Sequence, residues 1–182
     1  FAPSVATADP LATPLDACAE MISTTDVANV LGLDSAKVFV RIVLGMPSPT
    51  VGRTEKLDCV YTGERGKFLF TARSATYESE AAALAQWQRN LRLEDGAQHP
   101  MTVGPHQAIL FTKGNELLLT MVTGTSTLAV ELPKSTAPQG RAPINLIVDF
   151  AQRVLKIDPD APTVSAKPPP RPRSPCSPWR AP

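Results

Sequence analysis

Histidine is nearly missing from this chain. Only His99 and His106 occur among 182 residues. That scarcity removes most routes to a general base or an imidazole metal site. No Gly-x-Ser-x-Gly elbow is present to pair with either histidine. A phosphate-cradling P-loop, a Gly-x-Gly-x-x-Gly turn after a strand and an EF-hand loop are absent as well. The three cysteines, Cys18, Cys59 and Cys176, are widely separated. No Cys-x2-Cys pair or nearby histidine completes a zinc set. No catalytic residue, metal or cofactor is therefore expected, and the chain reads as non-enzymatic. Charge of one sign is missing too: the formal net charge is +1, which gives no drive toward nucleic acid. No apolar run approaches the roughly 18 residues needed to cross a bilayer, and no signal-peptide core is visible. Because the chain begins at Phe1, we expect a targeting or anchoring segment upstream of it, and membrane association through that segment.

Proline divides what is there. Of 19 prolines, 3 lie in residues 1–14, 7 in 15–158 and 9 in 159–182. Residues 1–14 are small and aperiodic and read as a flexible tether. Residues 158–182 carry Lys167, Arg171, Arg173 and Arg180 within Pro-rich sequence, which favours extended polyproline II over a packed fold. This basic tail reads as disordered. Residues 15–157 are the expected globular domain, with 43% hydrophobic residues in the whole chain to supply a core.

Within the domain, Cys18 follows a short helical pattern and Cys59 sits in an alternating one. Both fall on inward faces, and we read them as a disulfide. The bond would close a loop of about 41 residues and pin the first helix onto a central strand. Such bonds persist outside the reducing cytosol. The alternative is two buried free thiols, since cysteine is a common core residue. Cys176, in Ser174-Pro175-Cys176-Ser177-Pro178, reads as a free or intermolecular thiol.

Pro14 suits the first turn of an opening helix carrying Met21 and Ile22. Thr24 or Thr25 is placed to cap a second helix that Gly32 ends. Val38 to Val43 is rich in β-branched residues and predicts a strand. Leu57, Cys59 and Tyr61 share one face of a second strand. Phe68, Phe70 and Ala72 share a face of a third, after the turn residues Gly63-Glu64-Arg65-Gly66. Ser79 starts a helix to about Leu91 with Leu84, Trp87 and Leu91 as its apolar stripe. His99 then falls in a polar turn. Strands are expected near 106–112, 116–123 and 126–132. A last helix from Pro143 should bury Ile144, Ile147, Val148, Ala151, Val154 and Leu155. The order is helix, three strands, helix, three strands, helix. With hairpin-length turns this is a single α+β domain on an antiparallel sheet.

The sequence around the cysteines resembles a signature of small actinobacterial envelope proteins. Cys18 with Met21-Ile22 precedes Thr25-Asp26-Val27-Ala28-Asn29-Val30-Leu31-Gly32, and Leu57-Asp58-Cys59-Val60-Tyr61 follows. Ala81-Ala82-Ala83-Leu84, Val103-Gly104 and the Ile147–Leu155 helix also fit. The likeness covers roughly residues 15–157. Such families include mycobacterial lipoproteins of the LpqN kind, with PsbP-like α+β folds, and sensor domains of receptor kinases. The resemblance implies an exported, membrane-anchored envelope domain that binds a partner protein or a lipid-like ligand, as an accessory factor in lipid transport. It carries over no catalytic residue. Pro105-His106-Gln107 departs from the acidic residues common after the Val-Gly step, so any shared surface there is not implied. A cleft between sheet and helices is the expected site, with Tyr61, Phe68, Phe70 and Trp87 as candidate lining. Two other readings stay open: a hydrolase or transferase of cell-wall material using His99 or His106, and a ligand-sensing ectodomain of a signalling protein.

Overall fold

A computed structural model describes residues 14–158. Apart from Pro14, which opens a helix, and Asp158, both proposed tails, Cys176 included, lie outside the described residues. The described residues open with two short helices, α1 (Pro14–Met21) and α2 (Thr24–Leu31). Ser23 caps α2, its hydroxyl accepting from the Asp26 amide at 3.0 Å. The cap is thus one residue earlier than the expected threonines. Gly32 closes the helix at φ 67°, a left-handed conformation that costs glycine little. Three strands follow: β1 (Phe39–Gly45), β2 (Arg53–Thr62) and β3 (Phe68–Tyr77). Helix α3 (Glu80–Leu93) leads into four strands: β4 (Ala97–Val103), β5 (His106–Lys113), β6 (Glu116–Thr123) and β7 (Ser126–Pro133). Helix α4 (Pro143–Val154) ends the domain.

The seven strands form one open, wholly antiparallel sheet in the order β1-β2-β3-β7-β6-β5-β4. The fold is α+β, with helices against both sheet faces. β4 was not expected, and His99 lies on it rather than in a turn. Pro100 and the polar neighbours hid the strand. A proline that lacks a ladder donor is tolerated on an edge strand, and β4 is an edge. β2 is second from the other edge, not central.

Alternation along the strands assigns the two faces. One face presents Cys59, Tyr61, Phe70, Ala72, Val130 and Leu119, all fully buried. Against it lie α1, α2 and α4. The rings of Tyr61, Phe70 and Phe150 stack in series, with centroids 4.3 and 4.1 Å apart. The structure joins Cys18 to Cys59 with a Cα–Cα separation of 5.7 Å, tying α1 to β2 beside this stack. Helix α4 turns Leu146, Ile147, Phe150 and Ala151 inward. Ile144 is 46% exposed and does not belong to the core, because Leu146 takes the inward position of that turn.

Tyr61 is a fully buried core side chain with an ionisable tip. Its hydroxyl donates to the Ile22 carbonyl at 2.7 Å and lies 3.3 Å from that of Cys18. The bond to Ile22 satisfies a carbonyl just past the end of α1. Burial disfavours the phenolate and pushes the Tyr61 pKa well above the ordinary tyrosine value. The folded pKa is the higher one. The stabilisation is therefore complete below the unfolded value of about 10 and is lost as pH rises toward the folded value. Urea unfolding at increasing alkaline pH should show stability falling above about pH 10. In Tyr61→Phe that component of the alkaline decline should disappear, and a decline identical to the parent's would refute the assignment.

Candidate site beside helix α3

The opposite sheet face is covered only in part. Ser79 caps α3 by accepting from the Ala82 amide at 3.1 Å, and Glu80 suits the positive end of the helix dipole. Ala83 and Trp87 turn down onto β3, β6 and β7. Leu84, expected in the apolar stripe, is instead 42% exposed. Ala83 takes its place because a small side chain lets the helix sit close to the sheet. The Trp87 indole N–H donates to Thr120 Oγ1 at 3.1 Å, which fixes the ring over β6.

Between α3 and the strands runs a cleft of about 320 Å³. Its sheet side includes Arg53, Lys56, Arg73, Thr120 and Thr127, and its helix side Gln86, Asn90 and Glu94. Gln86 Nε2 donates to Asn90 Oδ1 at 2.8 Å, holding that wall. Arg73 pairs with Glu131 at 2.7 Å, and Lys56 reaches Asp58 at 3.4 Å. β2 enters the cleft through Gly52, at φ 65°. A Cβ there would meet the Glu78 carboxylate at 2.8 Å, so this entry needs glycine on both conformational and steric grounds.

The four aromatic candidates do not converge on this cleft. Tyr61 and Phe70 are fully buried in the core on the other sheet face. Phe68, at the start of β3, is 38% exposed. Only Trp87 borders the cleft, through Thr120. The charged and amide residues of the lining were missed. Their signal was present in the strand alternation: Lys56 occupies an outward position between inward residues of β2, and Arg73 does so on β3. Nothing in the alternation tells which helix will lie over them.

Neither histidine lines the cleft. His99 is exposed, and its Nε2 is 3.4 Å from Thr112 Oγ1. Among the described residues, no hydrogen bond joins either histidine to a serine or carboxylate. No group of three or more metal-ligating side chains occurs among those residues. No helix among them is long and apolar enough to cross a membrane.

The fold is similar to the extracellular domain of PknH from Mycobacterium tuberculosis. The TM-score is 0.50 at 13% identity, covering 77% of this chain and 93% of that one. A GTP-binding regulator from Thermotoga maritima matches at a TM-score of 0.39 and 14% identity, covering 74% and 88%; no argument rests on it. No protein-family model matches the sequence, and no curated protein does either.

Proposed function

We propose that this is an extracytoplasmic, non-enzymatic binding or sensing domain, and that the cleft beside α3 receives its ligand. The observation that carries the reading is the cleft itself. It is of ligand size, opens on the face away from the disulfide-stapled core, and brings cations, amides and hydroxyls together. The Cys18–Cys59 bond supports a location outside reducing cytosol. Similarity in fold to the extracellular domain of a mycobacterial protein supports the same location. The finer assignment, to LpqN-type lipoproteins with PsbP-like folds, belongs to the proposal and rests on the motif order around Cys18 and Cys59. So do the N-terminal anchor, the tethers at 1–14 and 158–182, and a role in envelope lipid transport.

The polar lining changes the ligand chemistry. An acyl chain needs an apolar channel, whereas this cleft, with Leu91, Leu118 and Leu128 beside its polar groups, suits a small polar molecule or a polar headgroup. A partner protein is the second reading. It is favoured by the edge strand β1, where Phe39 and Leu44 are 56% and 62% exposed, and by Met46 just after it, 80% exposed. An exposed apolar edge can pair with an extended segment of another protein. Amide NMR of the full chain, mixed with the low-molecular-mass fraction of an actinobacterial envelope extract, distinguishes the two. The proposal expects shifts concentrated on α3 and the facing residues of β2, β3 and β7. Shifts confined to β1, and only with the protein fraction, would replace it with the second reading.

A further inference from the structure

The charges along the cleft are not mixed evenly. Arg53 pairs in register with Tyr77 at the end of β3, and Lys56 follows it on β2. Toward the other end of the groove, Glu131 pairs with Thr71, and Glu94 marks the C-terminal end of α3. A second depression continues there past Asp95, Lys113 and Glu116, with Lys113 paired to Asp95 at 3.2 Å. Arg53 and Lys56 thus lie at one end of the cleft and Glu94 at the other, where Arg73, paired to Glu131, lines both depressions.

The partners already present decide which cation is available. Arg73 is committed to Glu131 at 2.7 Å. Lys56 makes a longer contact, 3.4 Å, with Asp58. Arg53 has no carboxylate partner among the described residues. Glu78, whose side chain covers Gly52 next to it, forms no ion pair with it. One Arg53 terminal nitrogen donates to the Met46 carbonyl at 2.9 Å. Its Nε is buried and has no acceptor, while Asp58 Oδ1, on the carboxylate that Lys56 reaches, is buried with no donor. A guanidinium has five donors and no acceptor, and a buried donor left unmade is costly. An oxyanion is the group that satisfies such a nitrogen best, by charge-assisted hydrogen bonding.

We propose that the cleft binds the phosphate or carboxylate oxyanion of a small polar molecule, held by Arg53 and Lys56. Asn90, Thr120 and Thr127 meet the uncharged remainder with amide and hydroxyl groups. The inference rests on the cleft being the ligand site. Its shared chemistry, an anionic oxygen cluster, fits a soluble sugar phosphate or the headgroup of an anionic lipid.

The test is amide and side-chain NMR of the full chain, titrated separately with inorganic phosphate, glucose 6-phosphate, glucose and phosphatidylglycerol vesicles. Phosphate or glucose 6-phosphate should shift Arg53 Nε–H, Lys56, Asn90 and the Trp87 indole, and rising salt should weaken binding. Vesicles alone producing the same shifts would assign the oxyanion to a lipid headgroup and support the proposal. Arg53→Gln should weaken anion binding by about tenfold, and Lys56→Gln should weaken it measurably. Thermal melts of both variants confirm that they fold. Glucose acting as strongly as glucose 6-phosphate, or Arg53→Gln leaving anion affinity unchanged in a folded protein, would overturn the oxyanion assignment. In that case the cleft remains the ligand site. No response of the cleft residues to any of the four probes overturns both.

Discussion

Replacing Cys18 and Cys59 together by alanine should lower the unfolding free energy by about 4 kcal/mol. The bond spans 41 residues of sequence and encloses the end of α1, all of α2 and β1, and most of β2. In the unfolded chain it removes the entropy of that whole loop, and the chain-entropy account gives this magnitude. The local structure makes the loss hard to recover. α1 is only 8 residues long, too short to persist without tertiary contacts. Its attachment to the sheet depends on the disulfide, the Tyr61 hydroxyl and the burial of Ile22. Both sulfurs belong to fully buried residues, so the substitutions also leave a gap that neighbouring side chains fill incompletely. The melting temperature should fall by roughly 10 °C. A fall under roughly 3 °C, by calorimetry of the folded variant, would show that the bond does not organise the fold.

Phe150→Ala should cost a similar amount, about 3–5 kcal/mol. Phe150 is fully buried, and its ring stacks on Phe70, which stacks on Tyr61. The series links α4 to β3 and β2 across the core. Truncation removes buried apolar area and also one face of the stack, a term of about 0.5–1.5 kcal/mol by itself. Phe150→Leu keeps most of the volume and should recover a large part of the loss. Equilibrium urea unfolding of the two variants measures this. An alanine variant within about 1 kcal/mol of the parent would mean that α4 is not docked through Phe150.

The inward side of the sheet was legible residue by residue. Leu57, Cys59 and Tyr61 fall at every second position, as do Phe70 and Ala72, and a period of two leaves few other arrangements. The caps were legible in kind but shifted in place. Ser23 rather than Thr24 closes α2, because three hydroxyl residues in a row offer the same chemistry. β4 was invisible for a different reason. Ala97 to Val103 contains Pro100 and three polar side chains, and only its pairing with β5 makes it a strand. Long-range pairing overrode local preference there.

The cleft was the least legible part. Arg53, Lys56 and Arg73 look like ordinary solvent-facing charges of alternating strands. They line a cleft only because α3 crosses β3, β6 and β7 and leaves a trough toward β2. The aromatic residues that drew attention, Tyr61 and Phe70, are large and apolar, and that composition fits the interior. The likeness around Cys18 and Cys59 agreed with an antiparallel α+β domain, yet those residues build the core and not the cleft.

The most direct measurement of the central claim fills the cleft. Thr127 lines it from β7 and is half-buried there, where phenylalanine suits a strand. Thr127→Phe should therefore fold, with a melting temperature within roughly 3 °C of the parent. The account predicts that the NMR response of Asn90 and Thr120 to low-molecular-mass ligand disappears in this variant. A folded Thr127→Phe protein that keeps the full response would contradict it.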